Sequence, residues 1–231
     1  MTVALDINEH DIKSFEGGLL APADVPQGIN GHGKRAIDIA IAMAVLVFTL
    51  PLLVTVAALI WLQDRGPVFF RQTRCGRGGK PFTCYKFRTM KIDALAALQE
   101  VLITDPKAAA EWERDQKLKR DPRVTWIGKF LRKSSLDELP QLFNILRGDM
   151  SIIGPRPVTY DELPRYGNKL AYYTATRPGV TGLWQVNGRN LLSYQERVEY
   201  DAQYVKNWTA AQDIKILVKT VPAVLLAKGA F

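Results

Sequence analysis

Asp137 and Glu138 stand side by side in SSLDELPQ, Ser134 to Gln141, flanked by leucines and followed two residues later by Pro140. Neighbouring residues on a helix point about 100° apart, so the two carboxylates cannot share one face. Two readings are open. In the first, Ser135-Leu136-Asp137-Glu138 is a capping box, and the acids complement a helix N-terminus. In the second, each acid has its own task. An aspartate at a helix start, ringed by apolar groups and near cations, could attack an electrophilic phosphorus and form an acyl-phosphate. Its neighbour, aimed elsewhere, would then handle a proton or a metal. Asp161-Glu162 lacks such a frame and reads as an exposed loop.

Cations for an anionic substrate are abundant. Lys86 and Arg88 alternate in YKFRTM, and Arg156 sits between prolines in GPRP. Arg177 and Arg189 bracket the glycine-rich RPGVTGLWQVNGRN. Lys86 and Arg88 suit either anionic lipid or phosphate oxygens. Arg156 is either a solvated residue in a rigid turn or a pre-ordered guanidinium for bidentate phosphate contact. Trp184 in the glycine-rich stretch reads as packing. Both histidines, His10 and His32, fall before residue 34, and the two cysteines make no disulfide framework. A zinc site or a Ser-His-Asp triad is therefore excluded from the folded region. A general base would be a carboxylate, and a metal would be hard and oxygen-ligated, such as magnesium.

The elements that position these groups can be read from periodicity. Residues 1–33 carry five acids and one lysine, a net of −4, in a chain whose formal charge is +8. They read as a mobile acidic tail. Ile39–Leu62 follows, 24 residues without a charge, long enough to cross a bilayer. Pro51 near its middle predicts a break. Lys34 and Arg35 flank one end and Arg65 the other, so the positive-inside rule gives no orientation. A helix over 34–66 that enters, bends at Pro51 and returns satisfies both facts; a plain span is the alternative. Asp38, one turn from Arg35, is placed to pair with it at the membrane edge.

From Arg65 through Ile92 there are eight basic residues, Arg65 included, and no acid. Val68–Arg74 and Phe82–Phe87 are rich in β-formers around Gly76, Gly78 and Gly79, which predicts a hairpin. Two helices, around Ala94–Leu102 and Lys107–Leu118, are separated by Pro106, with Leu95, Leu98 and Leu102 as an apolar stripe for a membrane surface. Leu139, Leu142, Phe143 and Leu146 predict an amphipathic helix beginning at or just before Asp137. The 177–190 stretch reads as a structured loop. Thr209 and Gln212 open a last helix whose stripe is Ile214, Leu217, Val218 and Val221. The fold class expected is mixed α/β: a mostly helical, membrane-associated domain with a small β-hairpin, one re-entrant membrane helix and amphipathic surface helices. The catalytic domain would span 67–231.

KRAID, GPVFFRQTRCGRGGKPF, YKFRTM, DPRVTWIGKFLRKSSLDELPQ, LRGDMSIIGPRP, RPGVTGLWQVNGRN and YVKNWT, in this order, resemble the bacterial sugar transferases. These are monotopic phosphoglycosyl transferases, and the resemblance runs from about Lys34 to the C-terminus, closest to small members that start exopolysaccharide synthesis. It implies transfer of a sugar-1-phosphate from a UDP-sugar to undecaprenyl phosphate with release of UMP. Asp137 matches the family's nucleophile and Glu138 its dyad partner. Magnesium is implied as cofactor, with Asp137 as a ligand. Lys86, Arg88 and Arg156 match phosphate or nucleotide contacts; Arg177 and Arg189 join them more weakly. The resemblance further implies the cytoplasmic face of the bacterial inner membrane, with anionic lipids as neighbours. It allows a homo-oligomer and gives no role to nucleic acid. Galactose is the first choice of sugar and glucose the second. One departure is visible: many members have Ser-Pro at the helix break, whereas here Leu50-Pro51 follows Thr49.

Overall fold

The computed structural model describes residues 21–115, 118, 120–188 and 191–225. The architecture is mostly helical, with two small two-stranded sheets. The expected acidic tail is described only from residue 21. From there it packs rather than trails: Ile29 is buried, and Asp24 accepts hydrogen bonds from the Tyr172 hydroxyl.

Helix α1, His32–Asp64, starts two residues before the expected boundary and has a mean hydropathy of 2.7 over its most apolar window. It is long and apolar enough to cross a membrane. Arg65 ends it in the left-handed conformation, its amide donating to Trp61 O. The helix continues through Pro51. Thr49 Oγ1 donates to Val45 O and Thr55 Oγ1 to Pro51 O, so both hydroxyls are satisfied within the helix itself. No polar face divides this helix, yet contact does. Asp38, Ala42, Leu53, Val56 and Ile60 form a buried stripe along its length. Ala42 joins the core of Leu142, Ile145 and Met150, while Leu53, Val56 and Ile60 pack with Phe87, Ile127 and Leu131. Val47, Phe48, Val54 and Leu62 face outward.

The expected Arg35–Asp38 pair does not form. Asp38 is 4% exposed and accepts from Ser151 Oγ and from the Ile152 amide, both at 3.0 Å. Arg35 donates instead to Leu146 O. An aspartate at the start of a buried stripe is better satisfied by a strand amide than by a neighbour on its own helix.

The hairpin is present. Strand β1, Phe69–Cys75, pairs antiparallel with β2, Pro81–Phe87, in the register Gln72 to Cys84. Two helices follow, α2 at Ala94–Thr104 and α3 at Pro106–Asp115, with the proline opening the second. Their leucines do not form one outward stripe: Leu98 is buried while Leu95 is exposed. Next comes α4, Trp126–Ser134, with Thr125 capping it by accepting from the Gly128 amide. Then come a 3-10 turn at Leu136–Glu138 and α5, Gln141–Arg147.

Strand β3, Ser151–Ile153, pairs in parallel with β4, Gly179–Thr181. Between them run a 3-10 segment, Tyr160–Lys169, and α6, Leu170–Thr174. The stretch expected as a loop thus supplies a strand and a short helix, α7, Leu183–Asn187. The reason is packing. A side chain at Gly179 would put its Cβ 2.1 Å from Gly154 N, so bare backbone is needed for the pair to close. Helix α8, Tyr194–Lys206, opens with a Ser193–Glu196 capping box. In α9, Ala210–Leu225, Ile216 is buried, whereas Ile214, Val218 and Val221 of the expected stripe are exposed.

Candidate active site

The dyad does not lie in the first turn of a standard helix. Ser135 ends α4 in the left-handed conformation, φ 57°, with its amide donating to the last carbonyls of that helix. Its side chain caps nothing, so the expected capping box is absent. Instead the chain winds tightly. Glu138 N donates to Ser135 O, Leu139 N to Leu136 O and Phe143 N to Pro140 O. Pro140 has no N–H to give to Leu136, which leaves that carbonyl to Leu139 and moves the α-helix start to Gln141. On a 3-10 turn successive residues are about 120° apart, so the two acids diverge even more than on an α-helix.

They diverge into different surroundings. Glu138 Oε1 is 2.6 Å from Lys86 Nζ and 3.6 Å from Arg156 Nη1. These cations hold the Glu138 carboxyl below its ordinary pKa even though burial pushes the other way. Asp137 forms no ion pair among the described residues. Burial, with the charge of Glu138 beside it, pushes its pKa up to about 6; Lys86 and Arg132 act against this. One acid is a fixed anion between cations. The other is a half-buried carboxyl with no ion pair among the described residues.

The scaffold explains the placement. Lys86 is near the end of β2, and Asn144 of α5 fastens that strand to the helix that follows the dyad. Asn144 is fully buried, accepts from Tyr85 N at 3.1 Å and donates to Thr83 O at 2.7 Å. From the other side, Gly128 lets α4 press on the strand's continuation: a Cβ there would lie 2.0 Å from Thr89 O. Arg132 Nε donates to Thr89 Oγ1, which keeps this guanidinium on the Asp137 side. Arg156 follows β3 in a turn fixed at several points. Gly179 N donates to Pro155 O, Arg74 Nη1 to Pro157 O and Cys75 N to Val158 O. A cleft lined by Arg74, Lys86, Glu138, Gln141, Arg156 and Val180 lies between these elements.

Of the cations singled out in the sequence, the structure brings Lys86 and Arg156 to the dyad. Arg88 is elsewhere: it is 8% exposed and its guanidinium pairs with Asp64 at the end of α1. Arg177 donates through Nε to Gly148 O, just past the C-terminus of α5, a place where a cation is favoured by the helix dipole. Arg189 lies outside the described residues. Trp184 is buried against Arg197, as packing requires. Sequence reasoning missed Arg74 and Arg132. Arg132 stands five residues before Asp137 and Arg74 in the basic hairpin, so proximity to the motifs was the available signal. Among the described residues no three His, Cys, Asp or Glu side chains cluster to hold a metal.

Residues 29–227 match the family model for bacterial sugar transferases. The chain belongs to that family. It is 51% identical over 201 residues to the "Undecaprenyl-phosphate galactose phosphotransferase" of Salmonella typhimurium, a match covering 86% of this chain and 41% of the relative. It is 48% identical over 203 residues to the "Exopolysaccharide production protein ExoY" of Sinorhizobium fredii, covering 88% of this chain and 90% of that one. To the "UDP-glucose:undecaprenyl-phosphate glucose-1-phosphate transferase" of Escherichia coli it is 39% identical over 217 residues, 90% of this chain and 44% of the relative. The chain thus spans less than half the length of the galactose and glucose transferases it matches, and most of ExoY. The region matched by the family model includes α1, the dyad and the Arg156 turn.

Proposed function

We propose that the protein is an undecaprenyl-phosphate sugar-1-phosphate transferase using a UDP-sugar, with galactose preferred over glucose, in the first membrane step of exopolysaccharide synthesis. The observation that carries this reading is the divided dyad: Glu138 bound between Lys86 and Arg156, Asp137 without an ion pair. An Asp137 oxygen attacks the sugar-bearing phosphorus of the UDP-sugar. The bond from that phosphorus to the bridging oxygen breaks, UMP leaves with the electron pair, and an aspartyl-phosphosugar forms. A phosphate oxygen of undecaprenyl phosphate then attacks the same phosphorus and releases Asp137. Lys86 and Arg156 are already gathered around one carboxylate, so a diphosphate meets two cations held in place. Glu138 acts here as the anchor of those cations.

Asp137, a half-buried carboxyl with no ion pair among the described residues, would hold a magnesium ion, which would supply positive charge against the diphosphate. Exposed Val47, Phe48, Val54 and Leu62 on α1 suit an acyl environment. A re-entrant course is supported by both ends of α1 being fastened to one domain, through Asp38–Ile152 and Asp64–Arg88. A straight helix of this length is about 50 Å long, and one crossing the bilayer would carry its ends to opposite sides. The site then faces the cytoplasm at the inner membrane, beside anionic lipid.

Purified protein incubated with undecaprenyl phosphate and labelled UDP-galactose or UDP-glucose tests the reading. Label should pass into solvent-extractable lipid, faster from galactose. Transfer from glucose alone would overturn the sugar assignment, and transfer from neither would overturn the function.

A further inference from the structure

We infer that Glu162 is a positioning residue for Arg156, acting through Arg74. The inference rests on the reading of Arg156 as a sugar-nucleotide contact. The fold divides the acid pair Asp161-Glu162, expected as an exposed loop. Asp161 is exposed, whereas the Glu162 side chain is 33% exposed and bonds back to the chain that leads away from Arg156. Its Oε2 accepts from Thr159 N at 2.9 Å, Thr159 Oγ1 at 3.0 Å and Arg74 Nη1 at 3.2 Å. The same Arg74 Nη1 donates to Pro157 O at 3.2 Å, and Arg74 Nη2 donates to Gln72 Oε1 at 2.6 Å. Pro157 follows Arg156 directly, so hydrogen bonds run without a gap from Glu162 to the Arg156 turn.

Capping the 3-10 segment that opens at Tyr160 needs only the bonds to Thr159. The bond to Arg74 has a second use. Arg74, Lys86 and Arg156 line one cleft, and Glu138 is the carboxylate in it. Burial pulls the Arg74 pKa down; Glu162 acts against this, and Arg156 acts with it. Without Glu162 the Arg74 guanidinium would turn its charge on Glu138 and compete there with Arg156, whose Nη1 is 3.6 Å from Glu138 Oε1. With Glu162 in place, Arg74 is held to Pro157 O and Gln72, and Glu138 is left to Lys86 and Arg156. The rest of the turn is already fixed. Gly179 N donates to Pro155 O and Cys75 N to Val158 O, while the Tyr173 hydroxyl accepts from Val158 N at 3.2 Å. Prolines on both sides of Arg156 set their own φ. Arg156 then has only its side chain left to order, and that side chain, 40% exposed, reaches Glu138 in the cleft.

The test is a mutant cycle on the full chain in detergent, reading KM for UDP-galactose at saturating undecaprenyl phosphate, with thermal melts to verify folding. Arg156→Ala should raise KM. Glu162→Ala should raise KM about ten-fold with a smaller change in kcat, the scale of one lost charge-assisted hydrogen bond. In the Arg156→Ala background Glu162→Ala should change KM by less than about two-fold, since its effect passes through a side chain no longer present. Glu162→Gln keeps an acceptor for Thr159, as a capping box allows, and loses the charge that holds Arg74. It should raise KM about three-fold with the same dependence on Arg156, and it carries the test if Glu162→Ala does not fold. Equal KM increases in both backgrounds would show Arg74 or Glu162 acting without Arg156 and would overturn the inference. So would Arg156→Ala raising KM while neither Glu162 variant does. An unchanged KM in Arg156→Ala is a different result: it removes the reading of Arg156 itself and the inference with it.

Discussion

Glu138 is gripped by two cations and Asp137 by none, and this difference decides what each acid can do. A carboxylate held by Lys86 at 2.6 Å stays ionised and is a poor proton carrier near neutral pH. Asp137, pushed up to about 6, ionises just below the pH at which the proposed reaction would run. As a nucleophile it must be deprotonated, so the rate of UMP release should fall as pH drops through about 6. Part of the upward push is the charge of Glu138. Glu138→Gln removes that charge and leaves Lys86 for Asp137, so the acid limb should move to lower pH; Lys86→Met should move it higher. Single-turnover UMP release measured from pH 5 to 8 gives both shifts. An acid limb that stays put in Glu138→Gln would mean that the titrating group is not Asp137.

At the scale of elements, the site depends on β2 and α5 being fastened to each other. Asn144 does this by bonding to both Tyr85 N and Thr83 O. Asn144→Ala leaves both backbone groups without their partner and should cost about 2 kcal/mol or more, seen as a melting point lower by about 4–8 °C. A melting point within about 1 °C of the parent protein would show that this side chain does not hold the two elements together. The sequence made several of these elements legible. Two runs of β-forming residues around a glycine cluster showed the hairpin, and the uncharged run showed α1. The dyad's divergence was also readable, since adjacent residues cannot share a helix face. Other features depend on contacts between distant segments. Nothing local tells Asp38 to bond to Ile152 rather than Arg35. The left-handed Ser135 and the i→i+3 winding through Pro140 replaced a capping box that the residue types alone allowed. The parallel pairing of β3 with β4 closes over about twenty-five intervening residues, so RPGVTG looked like a loop until its glycines met Gly154.

For the whole molecule, the apolar helix is fastened to the rest of the described chain near both its ends, at Asp38 and at Asp64. This makes topology testable with few changes, because the native thiols, Cys75 and Cys84, are buried. Cysteines placed at 32 and 63 should both resist a membrane-impermeant maleimide in intact cells and both react after permeabilisation. Labelling of one site from outside would show that α1 spans. The central claim, a covalent Asp137 phosphosugar, is tested most directly with UDP-galactose alone. Without any lipid acceptor, the purified protein should release about one UMP per active site, and mass spectrometry should find galactose-phosphate on Asp137 and none on Asp137→Asn. An active preparation that releases no UMP until undecaprenyl phosphate is added, and carries no adduct, would contradict the account and favour Asp137 as a base with both substrates bound together.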